Sequence, residues 1–170
     1  MILVVADTGP IRYLVVIEAI GLLPKLYDQV VLPGAVFSEL THPNAPAAVR
    51  NWAASLPQWA EVQHASRIDL SGVLDPGEAE AIALASELKA DSILLDESEG
   101  RNEAIRQGLL VSGTLGVLEK AAERDLVNLS EMFSRLTRTN FRITRELIQE
   151  ALARDRVRRE IKKRDRGLEP

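Results

Sequence analysis

The sequence predicts an α/β fold with a mainly parallel central sheet. Short aliphatic runs of strand length alternate along the chain with longer segments of helical periodicity, as in repeated β-α-β units. The first run, residues 2–6, is apolar throughout, as expected of a strand that is covered on both faces. A chain of 170 residues is long enough for one domain with a substantial core.

The individual elements follow from periodicity and from breaking residues. Apolar runs bounded by polar or breaking residues predict further strands at residues 30–32, 60–63, 92–95 and 109–111. Apolar spacings of three and four predict helices at residues 11–20, 22–27, 33–40, 47–55, 76–88, 97–107, 114–124, 130–136 and 144–163. Pro10 is expected at the first position of the first helix and Gly21 just after its end. Residues 67–73 lack periodicity and are expected to form a loop.

Composition excludes several kinds of protein. The apolar fraction is 46% and the aromatic fraction 4%, so the core must be mostly aliphatic. The absence of cysteine excludes disulfides, thiolate metal sites and a cysteine nucleophile. No apolar run approaches the roughly 18 residues of a membrane span, and residues 1–5 are too short for a signal peptide. We therefore expect a cytoplasmic protein without membrane association.

Charge is distributed unevenly along the chain. Residues 135–166 contain twelve Lys/Arg and five Asp/Glu, a local charge of +7, within a chain whose net charge is −4. The rest of the chain is therefore strongly acidic, at −11. This pattern permits a metal-binding acidic site and a phosphate-attracting basic element, although a solvated basic helix would look the same in sequence.

Four acids are placed where a parallel sheet gathers ligands. Asp7 follows the first strand, Asp96 follows the strand at residues 92–95, Glu39 lies on a short helix, and Glu78 opens the helix before that later strand. Ligands of open α/β sheets bind at the carboxyl ends of the strands. Carboxylate oxygens are the ligands that hard divalent cations prefer. Thr8 directly follows Asp7 and its hydroxyl could orient that acid.

Each acid also has a structural interpretation. Asp7 or Asp96 could cap the helix that follows it, and Glu39 could be an ordinary exposed helical residue. Glu78 stands three residues after Asp75, which is the spacing of a capping box with Asp75 as the N-cap. Weighed singly, none of the four proves a site, so the case for function depends on the set.

Two histidines and several hydroxyls add little chemistry. His42 and His64 lack a metal-ligand partner at useful spacing. Ser71, Ser112 and Thr114 have no evident general base, and Ser112 or Thr114 more simply caps a helix. We expect Glu80, Glu97 and Glu99 to be exposed to solvent or to surround the proposed metal ligands without binding the metal. Glu80 is the substitute for Glu78 if the alignment with the other acids is shifted.

The set of acids, in its order and spacing, resembles a PIN domain, most closely a VapC-like branch of that family. The resemblance covers about residues 2–125. The segments that carry it are residues 4–10 (VVADTGP), 36–40 (VFSEL), 74–85 (LDPGEAEAIALA), 94–97 (LLDE) and 113–118 (GTLGVL). The third acid is more often Asp in the wider family, whereas here it is Glu78.

The resemblance implies a three-layer α/β/α fold and a metal-dependent ribonuclease. By position, the acidic quartet that binds the metal and acts in catalysis would be Asp7, Glu39, Glu78 and Asp96, with Thr8 beside the first acid. Mg²⁺ or Mn²⁺ would promote attack of water on a phosphodiester and stabilise the developing charge. The implied function is an endoribonuclease toxin of a type II toxin–antitoxin pair, held inactive by a small antitoxin and forming a homodimer.

Substrate binding would require cations near the acids. Arg12, Arg101 and Arg106 could contact RNA phosphates, although taken alone each is more typical of an ordinary surface residue. Few aromatic residues are available for base stacking, so recognition by a stacking platform is not expected.

Two other functions compete with the ribonuclease. One is a non-catalytic PIN-like protein that binds nucleic acid or protein. The other is a phosphate-handling enzyme or receiver domain. That second class is disfavoured, because Gly9 occupies the place of the second acid that haloacid-dehalogenase phosphatases require, and the adjacent acids of receiver domains are missing.

The predicted organisation is a PIN-like domain at residues 1–140 and a basic, helical C-terminal extension at residues 141–170. In the extension, Ile143, Leu147, Ile148, Ala151 and Leu152 form one apolar stripe that should pack on the body or on a partner. Beyond residue 154 the stripe thins, and that stretch could extend into solvent, bind RNA or support a dimer.

Overall fold

The central sheet is fully parallel. The computed structural model describes residues 1–69 and 72–167. Its strands are β1 (Leu3–Ala6), β2 (Gln29–Pro33), β3 (Ala60–Gln63), β4 (Ser92–Leu94) and β5 (Val111–Ser112). They lie in the order β3-β2-β1-β4-β5, and every neighbouring pair is parallel. The predicted α/β fold with a parallel sheet is therefore confirmed.

Helices connect and follow the strands. They are α1 (Thr8–Val16), α2 (Leu23–Leu26), α3 (Gly34–Leu40), α4 (Ala47–Ala54), α5 (Pro76–Glu87), α6 (Ser98–Arg106), α7 (Thr114–Glu123), α8 (Leu129–Thr137) and α9 (Arg145–Gly167), with a 3₁₀ turn at Ile20–Leu22. None of the described helices is both long and apolar enough to cross a membrane. Leu70 and Ser71, which belong to the predicted loop, lie outside the described residues.

Two compact units make up the chain. The first, Met1–Leu115, contains the whole sheet, and the elements described in the second, Gly116–Pro170, are helices. The predicted functional boundary at residue 140 stays a prediction. In the first unit Val5, Val31, Ile82 and Ile93 are completely buried and form the aliphatic core that the composition predicts.

The strand order creates a crevice beside β1. From β1 the chain moves outward through β2 and β3, and then crosses back to form β4 on the other side of β1. Connections therefore leave β1 and β4 in opposite directions, which opens a crevice at the carboxyl ends of these two strands. The backbone N–H of Asp7 donates to the Leu94 carbonyl at 3.0 Å, which joins the two strand ends at the crevice.

The first helix differs from its prediction at both ends. It begins at Thr8, so Pro10 stands at its third position. The N–H groups of the first turn have no partner within the helix, so a proline there costs no hydrogen bond. It ends at Val16 because Glu18 adopts a left-handed conformation (φ 60°), and the Ala19 N–H closes the end on the Leu14 carbonyl. Since glutamate rather than glycine takes this conformation, the sequence contains no stop signal there.

The basic C-terminal helix is paired along one side with acids of the second unit. Arg154 contacts Glu119 at 3.0 Å, Arg158 contacts Glu123 at 3.7 Å, and Lys162 contacts Asp125 at 2.9 Å. The basic partners are spaced four residues apart, which places them on one face of α9. Part of the charge of this stretch is therefore paired with acids, while many of its other side chains are exposed to solvent, as the interpretation of a solvated basic helix expects.

Asp155 is the buried charge of this unit. It is 5% exposed and lies 2.8 Å from Arg159 and 3.5 Å from Arg158. Asp155→Ala leaves two guanidinium groups without this partner, so we expect the free energy of unfolding to fall by about 1–3 kcal/mol. Asp165→Ala, at an exposed position of the same helix, should change it by less than about 0.5 kcal/mol. Urea denaturation checks both, and equal losses in the two variants would contradict a stabilising role for Asp155.

Candidate active site

Asp7 is a buried carboxylate at the crevice. It is 7% exposed and occupies the N-cap position of α1, but its side chain makes no capping hydrogen bond. The Asp7 side chain therefore does not cap α1, contrary to the structural interpretation. A carboxylate that is buried at the carboxyl end of a strand and does not cap the next helix is available for chemistry at the crevice.

Thr8 orients Glu39. The Thr8 hydroxyl donates to Glu39 Oε2, which connects the start of α1 with α3. Glu39 is exposed at the surface of α3, yet this bond directs its carboxylate toward the loop that carries Asp7. The predicted orienting role of Thr8 thus concerns Glu39 in this structure.

Gly77 marks the place where three carboxylates meet. A Cβ atom built on Gly77 would lie 3.0 Å from Asp7 Oδ1, 3.1 Å from Glu39 Oε1 and 3.4 Å from Asp75 Oδ1. The three oxygens therefore face one small space, which the missing side chain of Gly77 leaves open. Asp75 was predicted only as the N-cap of α5, and it does accept from the Glu78 N–H at 2.9 Å. It also belongs to the acid cluster, which its capping signal had concealed.

Glu78 points to a different neighbour. It is 4% exposed, and its carboxyl carbon would lie 3.2 Å from a Cβ built on Gly100, near the start of α6. One of the two hydrogen bonds of a capping box is present, because the Asp75 carboxylate accepts from the Glu78 N–H. The Glu78 carboxylate nevertheless lies within the electrostatic reach of Asp7. Glu78 thus takes part in the cap through its backbone N–H and in the acid cluster through its carboxylate.

Asp96 is held by the start of α7. Thr114 donates its backbone N–H to Asp96 Oδ1 and its hydroxyl to Oδ2, both at 2.7 Å. The alternative in which Asp96 caps α6 is not realised, because Glu97 occupies that N-cap position. Glycines flank the carboxylate, since a Cβ on Gly113 would lie 2.7 Å from Oδ1 and one on Gly9 would lie 3.2 Å from Oδ2. Thr114, regarded in the sequence as a simple cap, is the residue that positions Asp96.

Burial and like charges raise the pKa values of these acids. Burial, together with the charges of Asp75, Glu78 and Glu39, raises the pKa of Asp7 to about 8, against the lowering effect of the Thr8 N–H. Burial and then the charge of Asp75 raise the pKa of Glu78 to about 7. Burial also raises the pKa of Asp96, although its bonds to Thr114 oppose the shift. Carboxyl groups with perturbed pKa values in a crevice are typical of functional sites.

The predicted substrate-binding arginines have different surroundings. Arg101 donates to the Leu95 carbonyl at 2.8 Å, and its positive charge acts on the pKa of Asp96. Arg12 lines a cavity beside Thr8 and Glu39. Arg106 is exposed and is bonded to Glu103, with Nε 2.8 Å from the carboxylate. The structure thus brings Arg12 and Arg101 next to the acids, whereas the guanidinium of Arg106 is engaged on its own helix.

Glu80 corrects one expectation. It is 5% exposed rather than solvated, and it accepts from the N–H groups of Ala35 at 2.7 Å and Ala65 at 3.2 Å. The bond from Ala35 caps the start of α3, so Glu80 stabilises the element that presents Glu39, and the bond from Ala65 fixes the segment after β3. It therefore has a structural task and does not substitute for Glu78. Glu97 and Glu99 are exposed, as predicted.

The donor chemistry of the cluster suits a hard divalent cation. Asp7, Glu39 and Asp75 offer only carboxylate oxygens around the open space at Gly77, and hard cations prefer such oxygens. Burial, and then the charges of neighbouring carboxylates, raise the pKa values of Asp7 and Glu78, and a bound cation would favour their ionised forms. As placed, no three acids or histidines within residues 1–69 and 72–167 form a ready-made metal cage. Coordination therefore requires side-chain movement.

A comparison with known families identifies the fold. A family model, DUF3368, described as a PIN domain, matches residues 3–156. Because the match covers most of the chain, the protein belongs to the PIN-domain family, and the resemblance of the sequence to a PIN domain is confirmed. PIN domains are generally nucleases and generally use divalent metal ions. No curated protein matches the chain.

The raised pKa values predict how stability depends on pH. The folded protein binds protons at Asp7 and Glu78 more tightly than the unfolded chain does, since their usual values are 3.8 and 4.5. The free energy of unfolding of the metal-free protein should therefore fall as pH rises from about 4 to about 8. Asp7→Asn should be more stable than the wild type at pH 8 by roughly 2–5 kcal/mol, and the difference should shrink toward pH 4.

Urea denaturation in the presence of a chelator measures this difference across the pH range. Asp165→Asn, at an exposed position, is the matched control and should follow the wild type. A free energy of unfolding that changes with pH identically in Asp7→Asn and the wild type would contradict the raised pKa of Asp7.

Proposed function

We propose that this protein is a divalent-metal-dependent endoribonuclease and the toxin of a type II toxin–antitoxin pair. The observation that carries the proposal is the gathering of Asp7, Glu39 and Glu78, joined by Asp75, at the crevice beside β1. Asp96 supports it from the adjacent strand, held by Thr114. Membership of the PIN-domain family supports a nuclease in general terms, whereas RNA as substrate and the toxin role go beyond it.

The residues of the site have distinct tasks in this proposal. Mg²⁺ or Mn²⁺, when bound, would polarise the scissile phosphate and make water a better nucleophile. Asp7 and Asp96 are the proposed direct ligands, and Glu39 and Glu78 complete the set, with Asp75 as a further candidate. Thr8 and Thr114 keep Glu39 and Asp96 in place through hydrogen bonds. Arg101 offers positive charge beside Asp96 for the RNA backbone, and Arg12 offers a guanidinium beside Thr8 and Glu39.

Basic contacts to phosphate predict salt-sensitive RNA binding. The C-terminal helix should contribute less to phosphate binding than its charge suggests, because Arg154, Arg158 and Lys162 already contact acids of their own unit. For the toxin role we expect a homodimer, and inhibition by a small antitoxin protein. Light scattering and co-purification with the product of a short neighbouring gene check these two expectations.

A non-catalytic PIN-like binding protein is the second candidate. It is favoured by one observation, namely that the described residues form no ready-made metal cage as placed. The two candidates differ in whether the protein cleaves RNA when Mg²⁺ or Mn²⁺ is supplied, so a cleavage assay on mixed RNA decides between them.

Removal of one proposed ligand should abolish cleavage without unfolding. Asp7→Asn and Asp96→Asn each keep the size of the side chain but remove a negative charge that the cation requires. We expect Mg²⁺-dependent RNA cleavage to fall by about a hundredfold or more in either variant, with an unchanged circular dichroism spectrum. Unaltered cleavage by either purified variant would exclude this mechanism.

Gly77 offers a test that does not change any charge. The Cβ of Gly77→Ala would lie 3.0 and 3.1 Å from oxygens of Asp7 and Glu39, so those carboxylates must move. Alanine is a better helix former than glycine by up to about 1 kcal/mol, so α5 should not lose stability. We expect Mn²⁺ affinity, measured by titration calorimetry, to fall about tenfold.

The matched control is Gly21→Ala, whose Cβ would have no neighbour within 4 Å. It should bind Mn²⁺ like the wild type. Equal affinity of Gly77→Ala and Gly21→Ala would mean that the cation is bound elsewhere.

A further inference from the structure

A cavity of about 380 Å³ opens directly beside the acid cluster in the first unit. Thr8 and Glu39 form one wall of it, and α1, α3, α4 and the loop that joins α3 to α4 supply the rest. Its volume lies at the small end of the range of ligand sites. A group bound there would lie next to the carboxylates of the proposed active site.

The walls combine apolar surface with a few polar groups. Leu40, Pro46 and Val49 are the main apolar contributors. Arg12 and Glu39 are the charged contributors and have opposite signs, so the lining does not favour an anion such as phosphate. A flat and uncharged ligand that forms hydrogen bonds fits this combination better than a charged one.

His42 and Asn44 place hydrogen-bonding groups at the rim. The Asn44 backbone N–H donates to His42 Nδ1 at 3.1 Å, so the proton of the imidazole is on Nε2, which becomes a donor. The Asn44 side-chain amide adds both donors and an acceptor. Ser38 donates to the Gly34 carbonyl at 3.1 Å, so its oxygen still has the capacity to accept. This is the mixture of groups that the edge of a nucleobase pairs with.

The loop that carries these residues is preformed. The His42 N–H donates to the Glu39 carbonyl at 3.2 Å, and the Ala45 N–H donates to the His42 carbonyl at 2.9 Å. Arg50 secures the other end of the loop through a 3.1 Å bond to the Ala45 carbonyl. A rim that is already ordered does not have to lose conformational freedom when a ligand binds.

Arg12 supplies a flat surface. Its guanidinium lies over the ring of Tyr13, with its carbon 5.8 Å from the ring centroid. Unstacked RNA bases commonly stack on guanidinium planes as well as on aromatic rings. A base in the cavity could therefore stack without the aromatic platform that the sequence lacks.

We propose that this cavity binds one unpaired nucleobase of the RNA substrate, next to the phosphodiester presented to the acids. His42 and Asn44 read the edge of the base and so determine which nucleotide flanks the cleaved bond. This inference rests on the proposed ribonuclease function, since it identifies a specificity site within it. It assigns sequence preference to two residues that carry no part of the acid cluster.

Binding of mononucleotides tests the cavity without any catalysis. The wild-type protein in chelator is titrated with the four ribonucleoside 5′-monophosphates and with ribose 5-phosphate, which lacks a base. We expect at least one nucleotide to bind about tenfold more tightly than ribose 5-phosphate. His42→Ala and Asn44→Ala should each remove that difference. Asn51→Ala, at an exposed position of α4 outside the cavity, should keep it.

Sequencing of the cleaved ends of a random RNA pool is the second measurement. The wild type and Asn51→Ala should share a preferred nucleotide at the cleaved bond, and His42→Ala and Asn44→Ala should lose it. If the wild type cleaves no RNA, the proposed function fails, while the mononucleotide titration still decides the nature of the cavity.

Three results would overturn the proposal. In the first, ribose 5-phosphate binds as tightly as every nucleotide. In the second, His42→Ala and Asn44→Ala behave like Asn51→Ala. In the third, an arginine-containing peptide binds the cavity and no nucleotide does, which would make it a site for a protein partner.

Discussion

Negative charge crowded into a water-poor crevice is the feature on which the organisation of the site depends. Asp7 is buried at the carboxyl end of β1, where three other carboxylates raise its pKa. Such a group lowers the stability of the metal-free fold at neutral pH, because the unfolded chain would ionise it freely. A group that lowers the stability of the free fold is typical of a site where a bound ligand restores that stability. A divalent cation is the ligand that a set of carboxylates attracts most strongly.

Small residues and hydroxyls make this arrangement possible. Gly77 leaves open the space that the oxygens of Asp7 and Glu39 face, and Gly113 lets the Asp96 carboxylate approach the backbone. Thr114 binds both oxygens of Asp96, so this acid is already fixed before any ligand arrives. The acids are therefore positioned by residues that have no charge of their own.

The two kinds of positive charge in the chain have different uses. The basic C-terminal helix contacts acids of the second unit through Arg154, Arg158 and Lys162, so part of its charge stabilises that unit. Arg101 and Arg12 lie close to the acids of the first unit. Because interactions between exposed charges decay over about 10 Å at moderate salt, a charge acts mainly on its close neighbours. Net charge along the sequence does not report which of its charges are already paired with acids.

Local patterns by themselves determined the fold class, the strands and most of the helices of this protein, since apolar runs and helical periodicity report burial directly. Position after a buried strand also predicted Asp7 and Asp96 as site residues, whereas Glu39 and Glu78 lie on helices and were predicted from the order and spacing of the set. Only the tertiary structure decided which neighbours these acids have. Asp75 joins the cluster, Thr114 binds Asp96 from 18 residues away, and Glu80 is withdrawn into a structural role. Contacts between residues far apart in sequence arise from packing, and a single sequence carries no local signal for them.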